Sequence, residues 1–216
     1  MIDYNIEINN LSKFFGRRKI FNKINLELNS PDIYGVSGKN GSGKSTFAKI
    51  LSGLIFPSSG KVIHKRKNEI IAEEKVFEHC GFVAPYLNLY NEFTAYENIV
   101  TSLKIRGLHV EKDFINTLFE KFNLIKRKND FVKAYSSGML QRLRFIFALS
   151  HKPDLLILDE PVSNLDDDGK ATVYSVIESF NSDGGLVIIA SNEKQDLALC
   201  NQIIYIENFK EAQHEN

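Results

Sequence analysis

The chain has 216 residues, of which 43% are hydrophobic, so it carries enough apolar side chains for one substantial core. Lys and Arg total 27 and Asp and Glu also total 27, a balance that argues against a general binder of nucleic acid or of an anionic membrane. Cys80 and Cys200 lie far apart without metal-ligand spacing, so we expect reduced thiols rather than a disulfide. No apolar run approaches the roughly 18 residues that a membrane helix needs, so any spanning segment is expected in another chain.

The N-terminal part predicts strands followed by a phosphate-binding loop. Alternating apolar residues predict two half-buried antiparallel strands, at 2–8 and at 24–28. The apolar stretch 33–36 predicts a buried strand that runs into a glycine-rich loop, and residues 46–54 predict the helix after it. The loop, 38–46, has the pattern G-x-x-x-x-G-K-[ST], and a strand before it and a helix after it are the context that a P-loop requires.

The P-loop has the chemistry of a site for nucleotide phosphates. Its glycines let successive N–H groups point inward at phosphate oxygens, and the N-terminus of the following helix favours anions. Lys44 brings a positive charge to the outer phosphates, and Ser45 offers a hydroxyl to Mg²⁺. The loop residues predicted to hold the nucleotide are Gly38, Asn40, Gly41, Gly43, Lys44, Ser45 and Thr46.

The middle of the chain is predicted to be largely helical. After a solvated hairpin around the charged run 64–69 and a strand at 81–84, Thr94 and Glu97 fit a capping box that starts a helix. Apolar residues at helical spacing predict a second helix around 114–122. A third is predicted from near Gly138 until Pro153 forbids its continuation.

The last third alternates predicted strands and helices. Apolar runs at 155–158, 186–190 and 203–206 predict buried strands, and 167–180 predicts a helix. This alternation implies a mainly parallel sheet covered by helices.

These elements together predict an α/β fold with a mainly parallel sheet, an antiparallel N-terminal β-subdomain and an inserted helical subdomain. We expect a single domain over residues 1–216. Within it, 1–85 and 151–216 form the P-loop core with its β-subdomain, and 86–150 form the helical subdomain.

Two carboxylates end the apolar strand at 155–158, where open α/β sheets bind their ligands. Asp159 suits the coordination shell of Mg²⁺, and Glu160 can polarise a water for attack on the γ-phosphate. The competing interpretation is a strand that ends in two acidic residues at a turn. The P-loop upstream favours the catalytic interpretation, because a metal-bridged phosphate, a positioned water and a lysine are what phosphoryl transfer needs.

The stretch 135–142, Tyr-Ser-Ser-Gly-Met-Leu-Gln-Arg, is a second candidate anion site. Taken alone, it is a serine N-cap before a helix, whose free N–H groups and dipole could also hold an anion. A simple kinase does not need two phosphate sites.

Together, these motifs resemble the ATPase subunits of ATP-binding-cassette (ABC) transporters, in the family's order and over almost the whole chain. The P-loop matches Walker A, 135–139 is similar to the signature LSGGQ, 155–160 matches Walker B with the catalytic glutamate, and 163–166 is similar to the D-loop. Phe15 stands where the family places an aromatic that stacks on adenine, although an isolated phenylalanine there could equally be a core residue.

The resemblance implies a stand-alone subunit that hydrolyses ATP with Mg²⁺ and pairs head to tail with an identical or different subunit. Each ATP would lie between one P-loop and the partner's Ser136 and Gly138. A separate membrane-spanning chain would meet the helical subdomain and the segment 85–97, which implies a cytoplasmic protein on the inner face of the membrane, with no nucleic-acid partner. The short form is most similar to exporter-type subunits, including the haem-exporter and antibiotic-exporter groups.

Three departures from the family pattern bear on turnover. Pro85 stands where the family usually has a glutamine, and proline offers no side-chain hydrogen bond. Asn192 replaces the family's switch histidine, so the resemblance gives it a γ-phosphate contact without a titratable proton. Ser137 and Met139 replace a glycine and a glutamine of the signature. We expect slow ATP turnover without a partner.

Two other classes of function compete with a transporter subunit. A soluble ABC ATPase that acts on ribosomes or DNA usually carries two cassettes or a long coiled-coil insertion, and this chain has neither sustained heptads nor a basic excess. A small P-loop kinase would leave the stretches 135–142 and 163–166 unexplained.

Overall fold

A computed structural model describes residues 2–210. The N-terminal strands form an antiparallel sheet of four strands in the order β2-β1-β4-β5. The strands are β1 (Tyr4–Phe15), β2 (Arg18–Asn29), β4 (Ser59–Arg66) and β5 (Glu69–Ile71). In β1, Tyr4, Ile6 and Ile8 are buried while their neighbours are only partly buried, which is the period-two pattern of a half-buried strand. The predicted antiparallel pair and the predicted hairpin around 64–69 are confirmed, except that His64, the first residue of the charged run, is buried rather than solvated.

The second sheet is parallel, with five strands in the order β6-β7-β8-β3-β9. Its strands are β3 (Asp32–Ser37), β6 (Cys80–Val83), β7 (Leu155–Asp159), β8 (Leu186–Ala190) and β9 (Gln202–Tyr205). β7 and β8 are buried throughout, as predicted. The prediction of a buried strand at 203–206 is wrong, because β9 is an edge strand in which Ile203 is 37% and Tyr205 51% exposed.

The five predicted helices occur in the predicted order, and two short helices, the second and the last of the seven below, were not predicted. The helices are α1 (Lys44–Leu51), α2 (Val76–His79), α3 (Ala95–Ile105), α4 (Lys112–Lys121), α5 (Ser137–Leu149), α6 (Asp167–Ser182) and α7 (Lys194–Ala198). Four short 3₁₀ helices add Glu73–Lys75, Ile125–Arg127, Val132–Ala134 and Ile206–Phe209. The capping box of α3 is confirmed, because the Thr94 hydroxyl accepts from the Glu97 N–H and the Glu97 carboxylate accepts from the Thr94 N–H.

The bounds of α1 differ from the predicted 46–54. The helix begins at Lys44 because Gly43, in the left-handed region, is its N-cap. It ends at Leu51 because Ser52 closes the last turn and Gly53 then takes a φ of +75°.

Two apolar cores lie on opposite faces of the parallel sheet. Leu156 and Leu158 of β7 pack with α3, α4, α5 and α6, whereas Leu155 and Ile157 pack with α1 and the antiparallel sheet. Successive side chains of a strand point to opposite faces, so one apolar run serves both cores. The predicted α/β fold class, with helices between the first and the last strands of the parallel sheet, is confirmed.

Neither described cysteine is in a disulfide, since Cys80 and Cys200 are both free thiols. Within residues 2–210, no helix combines the length and the apolar character needed to cross a membrane.

A buried histidine lies between two neighbouring strands of the antiparallel sheet. His64 of β4 is 4% exposed, and its Nδ1 lies 2.9 Å from the Tyr4 hydroxyl. Burial lowers the pKa of His64 to about 4, well below the ordinary histidine value. The native state therefore resists protonation at a pH where the unfolded chain already binds a proton.

We expect the free energy of unfolding to fall as the pH is lowered from about 6.5 towards 4, because over that range the unfolded state binds the extra proton. Each such histidine contributes a slope of up to ~1.4 kcal/mol per pH unit. Urea unfolding at pH 7 and at pH 5 measures the slope, which His64→Gln should reduce and His109→Gln, at an exposed position, should leave intact. Part of the slope should persist in both variants, because burial also lowers the pKa of His151 to about 4. An equal slope in the chain with His64→Gln would contradict the assignment.

Candidate functional site

The P-loop follows β3 at the carboxyl edge of the parallel sheet. Gly43, with a φ of +117°, closes the loop, and a Cβ there would lie 2.5 Å from the Ile20 methyl of β2. Neither the backbone angle nor the space tolerates a side chain. The loop is therefore held tightly against the antiparallel sheet, with its backbone at the surface of a cavity.

Lys44 lies inside this loop. Its side chain is 6% exposed, and Nζ donates to the Gly38 carbonyl at 2.7 Å, across the loop. A buried ammonium within one loop of backbone N–H groups makes a strongly electropositive pocket.

A cavity of about 370 Å³ opens beside the loop. It is lined by Phe15, Arg18, Ile20, Asn40, Gly41, Ser42, Gly43, Lys44, Ser45, Thr46 and Glu160. Phe15 is 52% exposed at the end of β1, with the Lys13 ammonium 4.9 Å from its ring centroid. Gly38 is the one predicted P-loop residue outside the lining, and its carbonyl accepts the hydrogen bond from Lys44.

The two carboxylates at the end of β7 have different surroundings. Asp159 is 1% exposed, and its Oδ2 accepts from the Tyr86 hydroxyl at 2.8 Å. Glu160 turns out of the strand with a φ of +49°, and its N–H donates to the Ala190 carbonyl at 2.9 Å. Burial raises the pKa of Glu160 above its ordinary value, while the nearby Lys44 charge opposes the rise.

Asn192, just after β8, lies against the P-loop. Its Oδ1 accepts from the Gly38 N–H at 3.4 Å, and its Nδ2 donates to the Asn40 side chain at 3.1 Å. The side chain therefore stands at the loop that would surround the phosphates, as the resemblance implies.

Ser136 and Gly138 lie at the start of α5, away from the cavity beside the P-loop. The Ser136 hydroxyl caps the helix by accepting from the Met139 N–H at 3.3 Å. A Cβ on Gly138 would approach the Asn164 carbonyl to 3.0 Å, so α5 packs closely on the turn after Glu160. The structure does not bring this second candidate anion site to the chain's own P-loop.

The residues present fit a magnesium nucleotide. Within residues 2–210, six buried side-chain N or O atoms lack a hydrogen-bond partner, and two of them, Ser42 Oγ and Asp159 Oδ1, belong to this site. Buried polar atoms without partners are rare in folded proteins and call for a ligand or a water. A glycine cradle, a lysine, a serine hydroxyl and a free carboxylate oxygen are the donor set that a phosphate with Mg²⁺ requires.

Sequence reasoning missed Arg18, Ile20 and Tyr86. Arg18 Nη2 donates to the Gly41 carbonyl at 3.3 Å, and Ile20 packs against Gly43, both from β2. No motif links that strand to the P-loop, so only the packing of the two sheets reveals these contacts. For Tyr86 the sequence offered one indication. This residue has a side-chain donor and directly follows Pro85, which cannot supply one.

Comparisons with known proteins agree with this geometry. A family model described as ABC transporter matches residues 21–163. The bacitracin transport ATP-binding protein BcrA of Enterococcus faecalis is 35% identical over 192 residues, which are 89% of this chain and 62% of that protein. The lantibiotic transport ATP-binding protein SrtF of Streptococcus pyogenes is 35% identical over 189 residues, which are 87% of this chain and 80% of that protein.

A solved ATP-binding cassette, dimeric in a post-hydrolysis state with bound ADP and Pi, has the same fold. Its TM-score is 0.79 at 22% identity, with 93% of each chain covered. The fold and the site define a P-loop ATPase. The chain belongs to the ABC transporter family, and the predictions of this family and of an ATP-hydrolysing enzyme are confirmed.

We expect Phe15→Ala to weaken ADP binding about ten-fold, because an aromatic that stacks on a base contributes ~1–3 kcal/mol. Isothermal titration with ADP measures the change. Phe14→Ala is the matched control, since Phe14 is the neighbouring residue on β1 and does not line the cavity. Equal affinities in the two variants would rule out stacking by Phe15.

Proposed function

We propose that this chain is the ATP-hydrolysing subunit of an ABC transporter and that it drives export through a separate membrane-spanning chain. The observation that carries the proposal is the cavity that gathers the P-loop, Phe15 and Glu160, with Asp159 beside it. The names of the relatives, bacitracin transport and lantibiotic transport, favour transport over work on ribosomes or DNA. They also support a peptide antibiotic as the class of cargo.

Different residues of the site bind different parts of ATP in this proposal. Phe15 stacks on the adenine, and the P-loop N–H groups with Lys44 hold the phosphates. Ser45 and Asp159 hold Mg²⁺, which neutralises charge on the phosphates when bound.

Glu160 and Asn192 act at the γ-phosphate. Glu160 accepts a proton from the attacking water. It is partly buried and lines the same cavity as Lys44, so it lies close to the phosphates that Lys44 contacts. Asn192 contacts the γ-phosphate from the end of β8, where its side chain is hydrogen-bonded to Gly38 and Asn40 of the loop.

Two copies of the cassette, identical or different, complete two sites. Ser136 and Gly138 lie outside their own chain's cavity, so a head-to-tail partner is what would bring them to a nucleotide. The solved cassette that shares this fold is dimeric, which supports this arrangement. ATP then stabilises the closed pair, and hydrolysis releases it.

The helical subdomain, residues 86–150, faces the membrane-spanning partner in this proposal. Tyr90 is 67% and Phe93 38% exposed on the segment that leads into α3, with ring centroids 5.4 Å apart. Phe131, 50% exposed, lies beside them through the bridge between Phe131 and Thr94. An exposed aromatic cluster of this kind is typical of a protein interface. The chain would work on the cytoplasmic face, held there by its partner.

We expect Glu160→Gln to abolish hydrolysis while ATP binding persists, so that ATP holds the cassette in its closed, partner-bound form. The tagged variant is purified from native cells with ATP, and the proteins that copurify are identified by mass spectrometry. A multi-span membrane protein is the expected result, and Lys44→Ala, which should not retain ATP, is the control. Ribosomal or DNA-repair proteins without a membrane protein would overturn the transport role, and hydrolysis at the parental rate would overturn the role of Glu160.

We expect Asn192→His to raise ATP turnover several-fold, because histidine adds a titratable proton beside the γ-phosphate that asparagine lacks. Steady-state phosphate release measures the effect. Asn192→Ala is the control, and it should lower turnover by removing the contacts with Gly38 and Asn40. Unchanged or lower turnover with histidine would contradict the idea.

A further inference from the structure

We propose that Tyr86 is a positioning residue for the metal, which holds the Asp159 carboxylate so that one oxygen stays available to Mg²⁺. The inference rests on the proposed function, in which Asp159 belongs to the metal shell. The Tyr86 hydroxyl donates to Asp159 Oδ2 at 2.8 Å, from the loop after β6. The contact joins two segments 73 residues apart in sequence.

The Tyr86 ring is held in place from the P-loop helix. The Lys49 ammonium, in the last turn of α1, lies 4.0 Å from the ring centroid. A cation over an aromatic face at this distance is attractive. A tyrosine hydroxyl ordinarily keeps its proton at neutral pH, so the group can donate to the carboxylate. Tyr86 thus links α1, which starts in the P-loop, to the carboxylate at the end of β7.

The two carboxylate oxygens of Asp159 differ in their hydrogen bonding. Oδ2 is occupied by Tyr86, whereas Oδ1 is buried and has no hydrogen-bond partner among the residues that the structure describes. Buried oxygens without a partner are unfavourable, so a ligand or a water at Oδ1 would stabilise this arrangement. The Tyr86 hydrogen bond fixes the orientation of the carboxylate and reserves Oδ1 for the metal shell.

The residue before Tyr86 is Pro85, which stands where related proteins usually have a glutamine. The proline near the end of β6 carries no side-chain donor, and the next residue supplies a hydroxyl to the metal carboxylate instead. The same loop continues through Leu87, whose carbonyl accepts from Arg144 Nε of α5 at 2.9 Å. Two hydrogen bonds, one at Tyr86 and one at Leu87, therefore connect the Asp159 carboxylate to α5.

The test measures metal binding directly. Mn²⁺ is titrated into the ATP-loaded Glu160→Gln chain, with and without Tyr86→Phe, and free Mn²⁺ is counted by electron paramagnetic resonance. Loss of a hydrogen bond to a metal carboxylate typically costs 10–100-fold, so we expect Mn²⁺ to bind about ten-fold more weakly. ATP binding without metal should not change, since the ring and its contact with Lys49 remain.

Tyr174→Phe is the matched control. The Tyr174 hydroxyl donates to Asp196 Oδ1, also at 2.8 Å, and neither residue lines the cavity beside the P-loop. This variant removes the same kind of bond elsewhere and should leave Mn²⁺ affinity unchanged. A second measurement uses the chain with Glu160 intact. There, Tyr86→Phe should raise the Mg²⁺ concentration for half-maximal ATPase about ten-fold, with the rate recovering at saturating Mg²⁺.

Asp159→Asn separates the role of Asp159 from that of Tyr86. If it leaves Mn²⁺ binding intact, the metal role of Asp159 in the proposed function fails. If it weakens Mn²⁺ binding while Tyr86→Phe leaves the affinity unchanged or tighter, only the positioning role of Tyr86 fails. A loss of ATPase with Tyr86→Phe that saturating Mg²⁺ does not restore would likewise overturn it, because it would show a general structural role.

Discussion

The parallel hydrogen bonding of β3, β8 and β7 is the constraint on which the rest of this structure depends. Val36 pairs with Ala190, and Ala190 pairs with Asp159, so the three strands end at the same level. Parallel strands have their carboxyl ends at one edge, and each strand delivers the next residues of the chain to that edge. The P-loop, Asn192 and the pair Asp159–Glu160 therefore meet although they are distant in sequence. A shift of register in any of these strands would separate the phosphate-binding loop from the carboxylates.

The helical block is attached to this edge by polar contacts as well as by its core. Gln141 of α5, fully buried, donates to the Pro161 carbonyl at 2.8 Å, just past Glu160. Arg144, one turn further on, bonds to both Gln141 and Leu87. Buried side-chain bonds of this kind hold a specific orientation, because leaving such groups unpaired is costly. The hydrolytic edge and the exposed aromatic segment are thus connected through α5 by a short chain of hydrogen bonds.

Departures from a family pattern have different physical consequences at different positions. Asn192 keeps two hydrogen bonds with the P-loop, so the position still contacts the loop while the titratable proton is absent. At Pro85 a side-chain donor is lost, while the hydroxyl of the adjacent Tyr86 donates to the Asp159 carboxylate. A residue-by-residue comparison with the family motif shows only that the usual side chain is missing at both positions. The three-dimensional structure shows which contacts remain.

The sequence by itself determined the strands, most helices, the P-loop, the carboxylate pair and the family, because these depend on local periodicity and on residues at fixed spacing. It misplaced the ends of α1, which were decided by the left-handed Gly43 and Gly53, and it took β9 for a buried strand. An apolar run does not say whether a strand has one neighbour or two, and only the order of the sheet decides that. Tertiary structure alone also decided that Ser136 lies away from its own P-loop and that Tyr86 bonds to Asp159, since both depend on packing between segments far apart in the chain.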